Sequence, residues 1–444
     1  MPPTAPSATP SHISVSFKEV FAVASGAAIE FFDFSAYATF SVMIGQVFFP
    51  SSSNAVSLLS SLAVFGLGFL ARPLGAVVIG TYADTSGRKP AMLLTMLLMI
   101  IGTAGMALLP GYATWGIWAP LLLLICRLLQ GIAWGGEAGP ATTFIMEAAP
   151  PHRRGVYTSW QIVAQGAAGL AAGLIGFVLS RELSHAQLLA WGWRVPFLIG
   201  LLVLPVAIYL RRHLNETLPA TADTTLNTHT PSGAPEYPMS GTAQTPLSMV
   251  LKDYRALVIV GILIISGSTI TQYFLNYMTT YALSELHYPT QIAMLAPIVI
   301  GVGVMLFSLL GGYLADHWGR SQTIIIPRVV LTLLLFPALI LIGQYHAPWL
   351  FFVLISVLTA LQCISGSGLL VALCESFPRP LRSTGFSIVY ALGITLFGGT
   401  AQFVFSWLSD VMGTAIAPAY YLVVTNLVCI GATIWLYSGR GSKE

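Results

Sequence analysis

Gly80-Thr81-Tyr82-Ala83-Asp84-Thr85-Ser86-Gly87-Arg88-Lys89 and Gly312-Tyr313-Leu314-Ala315-Asp316-His317-Trp318-Gly319-Arg320 are two versions of one short polar loop, with Asp316 lying 232 positions after Asp84. Each loop separates two long apolar stretches and follows the second such stretch of its half of the chain. A second pair repeats at nearly the same offset: Glu147-Ala148-Ala149-Pro150 with Arg154-Gly155, against Glu375-Ser376-Phe377-Pro378 with Arg382 and Gly385. Self-similarity on this scale marks a duplicated membrane unit, and such units characteristically move something across the bilayer.

Composition agrees. Of 444 residues, 56% are hydrophobic and 8% are charged, against roughly 25% charged in a soluble domain. A water-soluble globule is excluded. The net charge of +3 and the lack of basic tracts point away from nucleic acid. Cys126, Cys363, Cys374 and Cys429 lie in apolar stretches without metal-ligand spacing, so they read as small core residues. No metal or other cofactor is expected. Residues 1–16 are rich in Pro, Ser and Thr and lack a charged-then-apolar pattern, so no cleaved signal is expected. No His-x-x-x-His or Gly-x-Ser-x-Gly pattern falls within the apolar stretches, and an enzyme is not expected.

A membrane span needs about 20 mostly apolar residues. Twelve segments qualify: 20–45, 56–82, 91–110, 117–146, 155–180, 193–211, 256–283, 292–314, 322–343, 348–374, 384–408 and 415–437. The fold class is therefore all-α and membrane-embedded, with twelve transmembrane helices in two pseudo-symmetric six-helix bundles. The expected division is a tail at 1–19, a bundle at 20–212, a linker at 213–251, a second bundle at 252–437 and a tail at 438–444. The linker is rich in Thr and Pro and poor in large apolar residues, the composition of a flexible connection. With the N-terminus inside, fourteen of the 19 Lys and Arg fall on the cytoplasmic side, among them Arg88, Lys89, Arg153, Arg154, Arg211, Arg212 and Arg320. Only Arg181 and Arg194 fall outside. That bias places both termini in the cytoplasm.

An ionisable group inside a span costs several kcal/mol unless paired or wetted, so each is a functional candidate. Six occur: Glu30, Asp33, Arg72, Arg127, Glu137 and Arg328, five of them in the first half. Glu30 and Asp33 are three apart and share a helix face that Tyr37 continues. Two carboxylates this close in low dielectric cannot both ionise easily, so one is expected to hold a proton. Permanent pairing with Arg72 is the structural alternative. Arg127, Gln130 and Trp134 make a polar stripe, with Glu137 a step further round as a second proton site or a partner for Arg72. The Arg127 guanidinium fork matches a carboxylate bidentately and stays charged. Arg72 precedes Pro73 and suits either structure or substrate binding. Arg328, seven residues past the second loop in sequence, is expected to snorkel to the cytoplasmic interface. On the fifth span Thr158, Gln161 and Gln165 share a face, while Gly166, Gly169, Gly173 and Gly176 read as close-packing positions. The seventh span carries Ser266, Thr269, Tyr273, Asn276 and Tyr277 on one broad face. On the tenth span Gln362 and Ser365 read as packing residues.

Twelve spans in two halves, each with the Gly-x-x-x-Asp-x-x-Gly-Arg loop, resemble the major facilitator superfamily. Gly26…Glu30-Phe31-Phe32-Asp33-Phe34, Arg72-Pro73-Leu74-Gly75, Arg127-Leu128-Leu129-Gln130-Gly131…Gly135-Gly136-Glu137 and Trp191-Gly192-Trp193-Arg194-Val195-Pro196-Phe197 resemble its metabolite–proton symporter family. Ala63-Val64-Phe65-Gly66, Trp118-Ala119-Pro120-Leu121 and Tyr157-Thr158-Ser159-Trp160-Gln161 are most similar to the citrate and tricarballylate branch. The chain departs from the family at Ala27, where Asn is usual, and at Phe31-Phe32, where other branches carry Trp-Tyr.

The resemblance implies a plasma (inner) membrane transporter, a monomer, that takes a small organic anion together with protons by alternating access. It implies proton coupling at Asp33, Glu30 and Glu137. It implies cytoplasmic gating by Asp84–Arg88 and Asp316–Arg320. It also implies that the first, fourth, seventh and tenth spans line the cavity, adding Tyr273 and Asn276 to the candidate ligands Arg127, Arg72, Gln130, Tyr37, Gln161 and Gln165. A dicarboxylate, an aromatic acid or a zwitterionic osmolyte as cargo, and anion exchange in place of symport, remain the alternatives.

Overall fold

A computed structural model describes residues 17–86, 88–135, 142, 145, 146, 149–201, 246–378 and 381–438. The first-half helices are α1 (Phe17–Phe48), α2 (Asn54–Ser86), α3 (Arg88–Leu108), α4 (Trp118–Gly135), α5 (Arg154–Glu182) and α6, described over 195–201. Then come α7 (Arg255–Asn276, continued by Met278–Ser284), α8 (Ala296–His317), α9 (Arg320–Tyr345) and α10 (Pro348–Ser376). The last two are α11 (Arg382–Gly393, a π-helical turn at Ile394–Gly398, then Gly399–Met412) and α12 (Ala417–Ser438). No strand occurs among the described residues. This is the twelve-helix arrangement expected. A helix satisfies its backbone groups internally, which lipid demands.

Nine of the described helices are long and apolar enough to cross a membrane, by length and composition. Their outer surfaces carry the exposed large apolar side chains that a lipid-facing wall needs, among them Leu74, Val77, Leu306, Leu333, Val424 and Trp435. Helix boundaries have local causes. Pro348 sits in the first turn of α10, where its missing N–H costs nothing. His346, in the left-handed region at φ 46°, ends α9. Ser184 and Gln187 form a reciprocal capping box on the short helix His185–Ala190 that follows α5. The helix Pro246–Asp253 occupies the last residues of the expected linker, the rest of which lies outside the described residues.

The two halves meet where α5 packs on α8, α2 on α11 and α1 on α7. The α5–α8 seam is a backbone contact. A methyl group on Gly155 would lie 2.3 Å from the Gly312 carbonyl oxygen, and one on Gly166 would lie 2.9 Å from that of Gly301. Gly173 and Gly176 likewise face Ile298 and Met294 of the other half. Gly166, Gly173 and Gly176 are close-packing positions, as expected. Gly169 is not: a methyl there meets nothing within 4 Å, because the residue faces a cavity.

Candidate functional site

The same close approach builds the charged site. A methyl group on Gly131 would lie 1.9 Å from the Gly68 carbonyl oxygen, and one on Gly135 would lie 2.0 Å from that of Arg72. Only glycine lets α4 sit this tightly on α2, and the contact brings Arg72 and Arg127 to one cavity. That cavity, of about 40 Å³, is lined by Asp33, Arg72, Arg127 and Gln130 with Phe31, Phe34, Phe65, Phe69 and Trp134 among the walls.

Within it the polar groups form a chain. Thr103 donates its hydroxyl to Asp33 Oδ2. The Gln130 amide nitrogen donates to Thr103 Oγ1 at 3.0 Å and to Asp33 Oδ2 at 3.4 Å. Arg127 Nη1 donates to Gln130 Oε1 at 2.8 Å. Gln130 thus joins the one carboxyl to the guanidinium. Three buried atoms have no partner among the described residues: Asp33 Oδ1, Arg127 Nε and Arg72 Nη1. The guanidinium of Arg72 is sandwiched, 3.6 Å from the Trp134 ring centre and 3.8 Å from that of Phe69. It is also in hydrogen-bonding contact with Tyr273 of the second half.

A second cavity of about 50 Å³ lies between the halves, among α1, α5, α7 and α8. Its polar lining is neutral: Ser35, Thr39, Gln165, Gln272, Tyr273 and Asn276. Phe31 and Phe34 line both cavities and form the wall between them. Each space is large enough for a few water molecules.

Of the ligands read from the sequence, Arg127, Arg72 and Gln130 therefore share the charged cavity with Asp33, while Gln165, Tyr273 and Asn276 share the neutral one. Tyr37 lines neither. Its ring lies under the Arg127 guanidinium at 4.0 Å, and its hydroxyl donates to the Ser61 carbonyl at 3.0 Å, so it supports Arg127 from behind. Gln161 also lies off both linings and accepts from the Thr142 hydroxyl at 2.5 Å. The side chain of Glu30, and Glu137 altogether, lie outside the described residues. Thr103, Gln272 and the Phe31–Phe34 wall were not read from the sequence. The third span carries two threonines, Thr95 and Thr103, among apolar residues, which is the only sequence signal for Thr103.

Arg328 is a correction. It does not reach the interface but is fully buried. Its Nη1 donates to Gln362 at 2.6 Å and Asn426 at 3.1 Å, and its Nε donates to Ser365 at 3.1 Å. Gln362 in turn donates to the Ser268 carbonyl at 2.8 Å. The side chain points into the bundle, and acceptors on α10 and α12 are closer than water. Gln362 and Ser365 are thus its ligands rather than simple packing. Arg328→Lys keeps the charge but not the planar fork that reaches three acceptors, and is expected to cost about 2 kcal/mol. A fall in the thermal midpoint in detergent checks this, and an unchanged midpoint contradicts it.

At the end of the molecule where α8 turns into α9, ionic contacts bind the halves together. Asp316 accepts from the backbone N–H groups of Gly155 at 2.8 Å and Val156 at 3.0 Å, capping the first turn of α5 from the opposite half. Arg320 pairs with Asp316 at 2.7 Å and Glu375 at 3.2 Å, and Arg154 reaches Glu375 at 3.3 Å. The repeated Glu375 and Arg154 motif is thus part of this latch. The side chains of Asp84 and Arg88 lie outside the described residues. At the far end, Ser41 and Thr280 share a hydrogen bond of 2.8 Å across the seam. Asp316→Asn removes the ion pair and weakens the cap, a loss of about 3 kcal/mol from latch-closed states. Labelling of a Ser159→Cys thiol, buried behind the latch, is expected to speed up in that background. An unchanged rate would contradict the assignment.

Three comparisons bear on this arrangement. The family model described as "Sugar (and other) transporter" matches residues 19–439. The chain is 34% identical over 422 residues to the citrate-proton symporter of Klebsiella pneumoniae, covering 94% of this chain and 91% of that one. It is 32% identical to the alpha-ketoglutarate permease of Escherichia coli over 430 residues, covering 96% and 94%. To the proline/betaine transporter of the same organism it is 32% identical over 427 residues, covering 96% and 83%. In fold it is similar to the crystal structure of a D-xylose-proton symporter, with a TM-score of 0.71, 16% identity and coverage of 95% and 97%.

Proposed function

Because the chain belongs to the Sugar (and other) transporter family, within the major facilitator superfamily, we propose that it carries a small organic anion together with a proton by alternating access. The cargo favoured is a tricarboxylate such as citrate or tricarballylate. The observation that carries this reading is the charged cavity: two arginines, each with an N–H that has no partner among the described residues, face one described carboxyl with an oxygen likewise unpartnered among them.

Arg127 holds a substrate carboxylate through its fork, with Arg72 as the second cation. Asp33 and the substrate compete for the same positive charge. Protonation of Asp33 removes its pull on the Gln130–Arg127 chain and leaves the arginines to the anion, which couples the two ligands. Movement of the Phe31–Phe34 wall joins the cavities, so that Gln165, Tyr273 and Asn276 hold the rest of the substrate. Glu30 and Glu137 are the alternative proton sites. The latch end is cytoplasmic, with Asp84–Arg88 as the counterpart of Asp316–Arg320, and the chain works as a monomer with both termini inside.

Two of the aromatic walls are closed to a quaternary ammonium cargo. Such a cation needs a free aromatic face, and the Trp134 and Phe69 faces already hold Arg72. The test is a panel of labelled citrate, alpha-ketoglutarate and glycine betaine in proteoliposomes under an inward proton gradient. Citrate is expected to accumulate and betaine to stay at background. Accumulation of betaine without citrate would overturn the choice of cargo.

A further inference from the structure

The charged cavity sits deep in the protein, and a proton has to reach it. Neither the sequence motifs nor the two cavities provide a path. One helix face, however, carries buried polar groups that line neither cavity. On α11, Thr395, Gln402 and Ser409 recur two turns apart and share a side of the helix. All three are buried, at 3%, 0% and 4% exposure. Thr395 Oγ1, both amide atoms of Gln402 and Ser409 Oγ have no partner among the described residues. On α7, the neighbouring Tyr277 hydroxyl is buried beside Ser284 and Ser406, its ring 5.8 Å from that of Phe405 on α11.

The packing says where this face looks. A methyl on Gly398 would touch the Tyr273 ring at 2.9 Å, and one on Gly399 would lie 2.9 Å from the Gly66 carbonyl oxygen and 2.8 Å from Phe69. Gln402 is one turn on from both, so it stands between α7 and α2, in the seam between the halves. The inner end of the row reaches Tyr273, the side chain in hydrogen-bonding contact with Arg72. The other end reaches Asp410, which is exposed and faces Glu285. Burial pushes the Glu285 carboxyl up, Asp410 adds to this, and His287 opposes it. The π-helical turn at Ile394–Gly398 lies beside the inner end, the kind of irregularity that gathers at functional positions.

Buried polar atoms in folded proteins find partners in protein or in ordered water. A row of them on one membrane helix, with no partner among the described residues, selects water. We propose that the Thr395–Gln402–Ser409 face of α11 lines a water-filled, proton-conducting route from the far end of the seam to the Tyr273–Arg72 wall of the charged cavity. The route rests on the reading of the chain as a proton symporter and gives the proton its own entrance, separate from the latch. The row from Thr395 to Ser409 is about 20 Å long, and Tyr277 faces its middle. Each hydroxyl and the Gln402 amide both donates and accepts, which a chain of waters handing on a proton requires.

Cysteine labelling tests the route without depending on transport. The four native cysteines are buried. Gln402→Cys and the near-isosteric Ser409→Cys are treated, in membranes, with a small charged methanethiosulfonate. Trp407→Cys and Val411→Cys, on the exposed apolar side of the same helix, are the controls. A thiol reacts as the thiolate and so needs water. The expected result is labelling of Ser409→Cys and Gln402→Cys about tenfold faster than the controls. Rates equal to those of Trp407→Cys would overturn the route. In parallel, Gln402→Leu is expected to slow substrate-coupled proton influx, read with a trapped pH dye, about tenfold while substrate counterflow is retained. Equal loss of both, or no loss of either, would also overturn it. Absence of coupled proton influx in the native chain would instead remove the symport reading, and the labelling rates would still decide whether the face is wet.

Discussion

Arg127→Gln is expected to abolish measurable anion binding while the protein stays folded. Glutamine keeps much of the stem and an amide that can still meet Gln130, but it removes the charge. The guanidinium is buried at 6% exposure, stacks on Tyr37 at 4.0 Å, and makes its one described hydrogen bond to the neutral Gln130. No carboxylate is in direct contact with it among the described ion pairs. A cation held this way, in low dielectric and without a counter-ion against it, is poised for one that arrives with the substrate. Truncating one partner of such a pair costs about 2–5 kcal/mol, an affinity loss of roughly thirtyfold or more. Arg127→Lys should fail to rescue, because an ammonium lacks the two-pronged fit to a carboxylate. Calorimetric titration with citrate in detergent is the check. Affinity within threefold of the native value would move the anchor to Arg72.

The architecture was legible because lipid imposes simple rules. Apolar length marks the spans, and the repeated Asp-x-x-Gly-Arg loops mark the two halves. The latch was legible too, though only in part. Asp316 and Arg320 were visible as a motif, but their partners Gly155, Val156 and Glu375, and Arg154 that pairs with Glu375, come from the other half or another helix, and only folding brings them together.

The charged cavity divides the same way. Arg127 and Gln130 are three apart on one helix, so periodicity finds them. Arg72 joins them from α2 through the carbonyl contacts of Gly131 and Gly135, and Thr103 from α3, where Gly102 packs on Gln130 and Cys126. Tyr37 was assigned by its stripe to the substrate, yet its hydroxyl is taken by a backbone carbonyl of α2. Arg328 misled for a related reason. Distance along the chain from a loop does not say which way a side chain turns, and Gln362, Ser365 and Asn426 turned it inward. A pattern read along one helix reports which side chains share a face. What that face meets is decided by other helices.

Asp33 is the other residue whose change should have a large effect, and it carries the coupling. Its Oδ2 accepts from Thr103 and Gln130, and its Oδ1 has no partner among the described residues. The free oxygen is where a proton can be added without breaking either bond. Asparagine keeps the shape, keeps an oxygen for Thr103 and Gln130, and carries no charge at any pH. It therefore imitates the protonated carrier permanently. A carrier fixed in that form can still exchange substrate across the membrane, since each passage needs only the anion-ready state. It can no longer release a proton inside, so it cannot draw on a gradient to accumulate cargo.

The measurement that tests this most directly is uptake of labelled citrate into proteoliposomes by native and Asp33→Asn protein. Each is assayed under an imposed inward proton gradient and in counterflow without one. Native protein is expected to accumulate citrate under the gradient and to exchange it in counterflow. The variant is expected to lose accumulation entirely and to keep counterflow. Gradient-driven accumulation that survives in Asp33→Asn would contradict the account and move the coupling proton to Glu30 or Glu137.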